Sequence, residues 1–412
     1  DDQQRIEKLQ FKTPEGLAGM IANVTLCPEP QASQGSCPQS SQLGHTVVTS
    51  GPGPYPLVLP QPGDPELPIY LTGPYEGAPF GLSIVTPVIA GPFNLGTIVT
   101  RAKIEVDPHT AQITITTDPL PQIVKGVPTD LREVESVIER PNFMFNPTHC
   151  EPESFSGTAT SAQGATASLS SSFDVVGCKG LAFQPKLSVT TKARGSKADG
   201  QSLTFRIAYP KGAVGTQSWF RAAKFDIPKQ LPARLTTLQQ ACLAHVFEAE
   251  RSKCPKASVI GHAIVHTPVL PVPLEGSVYF VSYGGAKFPD AVMVLQGDNI
   301  TVELVGETFI DNKTGITSAT FRNTPDVPFE SIEVTLPTGP FSEFGVNLPA
   351  KDHYDFCGKK VRKKLKMPTA FTAENGLEIH QNTPIAVKGC PKHTKKHKHN
   401  KHKKRKSHRK KK

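Results

Sequence analysis

The chain has 412 residues, 37% hydrophobic and 20% charged, so apolar burial can offset chain entropy and wholesale disorder is excluded. Its formal net charge is +10, but 13 of its Lys and Arg fall in Pro391–Lys412, leaving 33 basic against 36 acidic side chains over residues 1–390. The basic balance therefore describes one terminal segment and not a charged groove on the body, and no run of about 18 apolar residues is present to span a bilayer.

Read in chain order, the sequence repeats itself. Phe11-Lys-Thr-Pro-Glu-Gly-Leu17 returns as Phe225-Asp-Ile-Pro-Lys-Gln-Leu231. Cys27 and Cys37 lead through C-P-x-x-S-x-x-G-H to His45, and Cys242 and Cys254 lead through the same pattern to His262. Gly51–Pro68, rich in Pro and Gly and carrying Tyr55, is longer than its counterpart and reads as an inserted surface loop. Period-2 alternation predicts half-buried strands over Ile98–Val106 and Gln112–Thr116, and Pro-bounded apolar runs predict more at Leu82–Val85, Ser277–Val281, Ala291–Leu295 and Ile332–Leu336. Asp107-Pro-His-Thr-Ala111 and Asp311-Asn-Lys-Thr-Gly315 are matching turns. Cys150 and Cys178 close the first copy as Cys357 and Cys390 close the second. Leu187–Thr191 and Ser202–Tyr209 are strand-like segments without a counterpart in copy one, so the sequence is expected to begin part-way through its first unit. Pro232–Glu250, with Leu235, Leu238, Cys242 and Val246 at helical spacing, is the one stretch that predicts a helix, and Lys359–Lys366 predicts a solvated basic strand face.

These elements predict an all-β chain of tandem, disulfide-braced, Ig-like β-sandwich units with a few short helices and a disordered basic C-terminal tail. The units are 1–180, incomplete at its N-terminal side, and 181–390, followed by the tail 391–412. Duplication favours pairing within each unit, and neighbours in sequence are preferred: Cys27–Cys37, Cys150–Cys178, Cys242–Cys254 and Cys357–Cys390. Paired cysteines without C-x-x-C spacing argue against structural zinc and for an oxidising, secreted setting.

Catalytic patterns are absent: there is no G-x-S-x-G, no H-E-x-x-H, no P-loop and no Gly-rich fingerprint opening a helix, so no enzyme, cofactor or metal is expected. His45 and His262 follow a repeated Gly with no acidic or cysteine partner at ligand spacing and are read as structural. The tail carries Lys392, Lys395, Lys396, Lys398, Lys401, Lys403, Lys404, Arg405, Lys406, Arg409, Lys410, Lys411 and Lys412 with five interspersed His and nothing apolar to bury. Such a segment binds polyanions by charge, without shape specificity.

Four stretches, Leu71–Val85, Ala102–Ala111, Asp118–Pro128 and Met367–Gly376, resemble uncharacterised secreted, tandem β-sandwich cell-surface proteins of actinobacteria. The resemblance implies export and a cell-envelope setting, with no activity or catalytic residue to carry over. Three functions follow as expectations: a non-enzymatic envelope protein anchored by its tail to anionic wall polymer, an adhesin or carbohydrate-binding module using the Tyr55 loop or a sheet face, or a secreted hydrolase with a dispersed site. Oligomeric state is left open.

Overall fold

A computed structural model describes residues 4–285 and 287–391; the tail residues Lys392–Lys412 and the polyanion contacts expected of them lie outside the described residues. The first half of the chain supplies β1 (Ile6–Lys12), β2 (Gln42–Ser50), β3 (Leu67–Thr72), β4 (Phe80–Ala90), β5 (Phe93–Val106), β6 (Ile113–Thr117), β7 (Leu131–Ile138), β8 (Glu153–Ser161) and β9 (Thr166–Phe173). They form one sheet in the order β7-β2-β3-β4-β5-β6-β1-β8-β9, with Leu57–Leu59 of the Gly51–Pro68 insertion pairing on β2.

The second half supplies β10 (Lys186–Lys192), β11 (Leu203–Ala208), β12 (Phe220–Asp226), β13 (Val259–His266), β14 (Leu274–Ser282), β15 (Asp290–Gly297), β16 (Ile300–Ile310), β17 (Thr317–Phe321), β18 (Ser331–Leu336), β19 (Lys366–Ala373) and β20 (Glu378–Lys388). Its sheet runs β18-β13-β14-β15-β16-β17-β12-β19-β20, the same nine-strand order, and then continues through β10 and β11 back to β18. The all-β, tandem reading therefore holds, with one addition: the second sheet closes on itself in a barrel-like ring. Closure follows from β10 and β11, the two segments that have no counterpart among residues 4–180.

The repeat is reproduced in fine detail. β2 on β3 and β13 on β14 carry a register shift at the same place, between Gln42 and Gly44 and between Val259 and Gly261. The repeated Gly has a steric cause, because a Cβ at Gly44 would lie 1.8 Å from the Val137 carbonyl oxygen and one at Gly261 2.6 Å from that of Thr335. Both turns close alike: Asp107 Oδ1 accepts from the amides of His109 and Thr110, and Asp311 Oδ1 from those of Lys313 and Thr314. Four bridges join Cys27 to Cys37, Cys150 to Cys178, Cys242 to Cys254 and Cys357 to Cys390, and each such bridge contributes on the order of 2–4 kcal/mol.

Two expectations need correction. Pro232–Glu250 is not one helix but two short pieces, α1 (Leu235–Leu238) and α2 (Ala244–Ala249), separated by Cys242–Leu243, which pairs in parallel with Val281–Ser282. The buried Cys242, tied to Cys254, draws that segment into the sheet and overrides the helical spacing. Lys359–Lys364 is a helix, not a strand: only Val361 is buried, while its Lys and Arg stay solvated. Among the described residues no helix is long and apolar enough to cross a membrane.

One apolar core cluster runs through both sheets, from Leu43, Ile69 and Phe80 to Ile260, Leu295 and Phe371. The halves are thus packed together through apolar surface.

Candidate functional site at the junction of the two sheets

A cavity of about 250 Å³ lies between the two sheets. One wall comes from Leu43, Phe80 and Ile104 of the first half, and the other from Val265, Leu295 and Val302 of the second. Inward alternation on β2, β4, β5, β13, β15 and β16 places these side chains there. Gly19 sits under the Phe143 ring, where a Cβ would lie 2.5 Å from Cζ, so this wall tolerates no larger residue. The three threonine hydroxyls at the cavity are already committed: Thr13 donates to the Leu17 carbonyl, Thr267 to that of Pro328 and Thr324 to that of Phe220. The cavity therefore offers an apolar wall and supplies neither a nucleophile nor a general base.

Beside it runs a polar seam that joins the same two halves. The Thr148 amide donates to Asp326 Oδ2 at 2.5 Å and its hydroxyl to Oδ1 at 2.6 Å, while the Trp219 amide donates to that hydroxyl at 3.2 Å. Ser218 Oγ and Asn375 extend the network: the Asn375 side chain donates to the carbonyls of Cys178 and Leu181 at 3.1 and 3.0 Å. Burial raises the Asp326 carboxyl above its usual range, against the opposing pull of the Thr148 hydrogen bonds. Glu374 is pushed up to about 8, first by burial and then by the neighbouring Asp326 charge. Glu374 is a neighbour of Arg221, which pairs with Glu151 at 2.9 Å.

Both Asp326 oxygens are occupied by Thr148, so the arrangement acts as a clasp between the halves. Replacing Asp326 with Asn should cost about 1–3 kcal/mol, because one Thr148 donor loses its acceptor in a buried setting. Chemical unfolding of the variant checks it, and an unchanged midpoint would mean that the seam is not a clasp.

The repeated histidines do meet acids, which sequence spacing missed. His45 Nδ1 lies 3.0 Å from Glu139 Oε1, 94 residues away, and Glu66 completes a trio whose ligand atoms lie within 4.8 Å of one another. His262 lies 3.8 Å from Glu275, and no third group joins it among the described residues. The trio is half-exposed to exposed and not repeated, so it does not mark a function shared by the two copies. The two most exposed aromatics of the first half are Tyr55 at 93% and Phe93 at 69%, and their neighbours Leu57 and Leu95 pack in one small cluster with Leu59, Leu67 and Val88.

No family model matches the chain, and no curated protein matches it. Among solved structures, the C-terminal domain of the Streptococcus agalactiae AgI/II polypeptide BspA aligns over 92% of this chain and 92% of its own, at 7% identity and a TM-score of 0.19. A second chain, BspA_C_WT, aligns over the same shares at 8% identity and a TM-score of 0.19. Superposition at that level carries nothing about function.

Proposed function

We propose that this is a non-enzymatic extracellular structural protein of the cell envelope, held on anionic wall polymer by its C-terminal tail. The observation that carries the reading is the separation of roles along the chain. Eight cysteines are all paired within a duplicated β body, and that body is close to neutral. The positive charge is concentrated in Lys392–Lys412. Disulfide bracing of this density belongs to oxidising compartments, and an acid-free cationic segment attracts polyanions irrespective of their shape. The resemblance to secreted actinobacterial surface proteins agrees with this setting.

Adhesion to glycan is the second reading, supported by the exposed Tyr55 and Phe93, since aromatic faces stack on sugar rings as they do on other flat apolar surfaces. A screen of teichoic acids and neutral glycans separates the two, using the full chain and a chain ending at Pro391. Retention on teichoic acid that disappears with the tail supports the first. Binding of a neutral glycan by both chains, lost on Tyr55→Ala, would replace it with the second.

A further inference from the structure

The geometry points to a zinc-binding site on the first sheet, built from His45, Glu66 and Glu139. Their ligand atoms lie within 4.8 Å of one another, and His45 Nδ1 is 3.0 Å from Glu139 Oε1. The three come from neighbouring strands: His45 from β2, Glu66 from the residue before β3 and Glu139 from the residue after β7. His45 stands opposite Pro68 on one side and Val137 on the other. Glu66 and Glu139 each lie two residues from those partners, so both fall on the face that His45 occupies, at diagonal positions that long side chains span.

The backbone under each ligand is held in place by bonds of its own. Thr46, next to His45, is fully buried, and its hydroxyl donates to the carbonyl of Leu67, next to Glu66. The amides of Glu139 and Arg140 both donate to the Leu43 carbonyl, at 3.1 and 3.0 Å. The Arg140 guanidinium is occupied with the carbonyls of Ser40, Gln42 and Asn23. Among the described residues no Lys or Arg pairs with Glu66 or Glu139. Two carboxylates therefore converge on one imidazole with no basic side chain to balance them.

The second half supplies an internal comparison. His262 stands opposite Ser277 and Thr335, so Glu275 takes the place of Glu66, and Pro337 takes that of Glu139. The pair of His and acid is repeated, with His262 3.8 Å from Glu275, and the third ligand is not. Zinc bonds imidazole nitrogen and carboxylate oxygen at about 2.0–2.2 Å, which sets ligand atoms about 3.3 Å apart in a tetrahedral site. His45 and Glu139 are already near that spacing, and rotation of the exposed Glu66 side chain brings in the third oxygen, with water in the fourth position. Calcium prefers oxygen ligands throughout, whereas a set containing imidazole suits zinc.

The test adds zinc chloride to the full chain, with free zinc held by a chelator buffer, and follows the histidine ring nitrogens by NMR. The five His of the tail give ring signals of their own, so zinc taken up there does not obscure the readout. A saturable shift of His45 Nδ1 is expected, with His262 unmoved, and calcium chloride should not reproduce it. Glu66→Gln and Glu139→Gln, both at exposed positions, should each weaken zinc binding at His45 by about tenfold or more, at least the loss that removal of an outer-shell partner causes. No shift of His45 up to about millimolar zinc would overturn the inference and leave the trio as an ion pair with a neighbouring acid. An equal shift at His262, or a His45 shift that survives both substitutions, would overturn it as well, by showing that the third ligand does not matter.

Discussion

Stability should fall as pH rises from about 4.5 to about 8, and Glu343→Gln should remove much of that dependence. Glu343 follows β18, lines the small interior space of the second ring and is buried beside Phe344. Burial alone pushes its carboxyl up to about 8 from an ordinary 4.5, and Glu374 is raised to about 8 in the junction seam. A carboxyl raised in the folded state holds its proton there while the unfolded chain has released it, so between those values the native state binds more protons. The stabilisation is complete below about 4.5 and is lost as pH climbs through about 8. Glu343→Gln should therefore be near neutral at pH 4.5 and stabilising by roughly 2–4 kcal/mol at pH 9, since Gln carries no charge to desolvate. Urea unfolding of both proteins at the two pH values checks this. Equal differences at pH 4.5 and pH 9 would show that burial of charge is not the cause.

Phe143→Ala should destabilise by about 3–5 kcal/mol, the range for a buried aromatic truncated in a core that cannot collapse. The Phe143 ring is 8% exposed and packs between Gly19 and the junction cavity, and its carbonyl accepts the Met20 amide. Removal would enlarge a space already bounded by both sheets. The loss should appear as weaker coupling between halves, read as two separated thermal transitions where the parent shows one. A variant with a single transition and less than about 1 kcal/mol lost would mean that the cavity wall does not join the sheets.

Much of this was legible in the residues because cysteine, glycine and turn chemistry are local. The C-P-x-x-S-x-x-G-H pattern marked β2 and β13, and the Asp107 and Asp311 turns kept their side-chain bonds to the following amides. Closure of the second ring was not legible. It depends on parallel pairing of β10 with β20 across some two hundred residues, which no local pattern encodes. The Asp326–Thr148 clasp was hidden for the same reason, being separated by 178 residues; the one available signal was a polar Thr148-His149 pair set directly before Cys150. The helix over Pro232–Glu250 misled because its spacing is real but the Cys242 bridge and sheet pairing dominate it. Lys359–Lys364 misled because a basic run with one buried Val suits a short helix as well as a strand.

The separation of a passive disulfide-braced body from a charged anchor is tested most directly by measuring affinity for teichoic acid against salt, for the full chain and for a chain ending at Pro391. If five or six of the tail's charges engage phosphates, affinity of the full chain should fall by roughly two or more orders of magnitude between about 50 and 200 mM salt, while the shortened chain shows no retention at either. Its melting temperature should be nearly unchanged. Equal retention of the two chains at low salt would contradict the account and move the contact to the folded body, with the basic helix Lys359–Lys364 as the place to look.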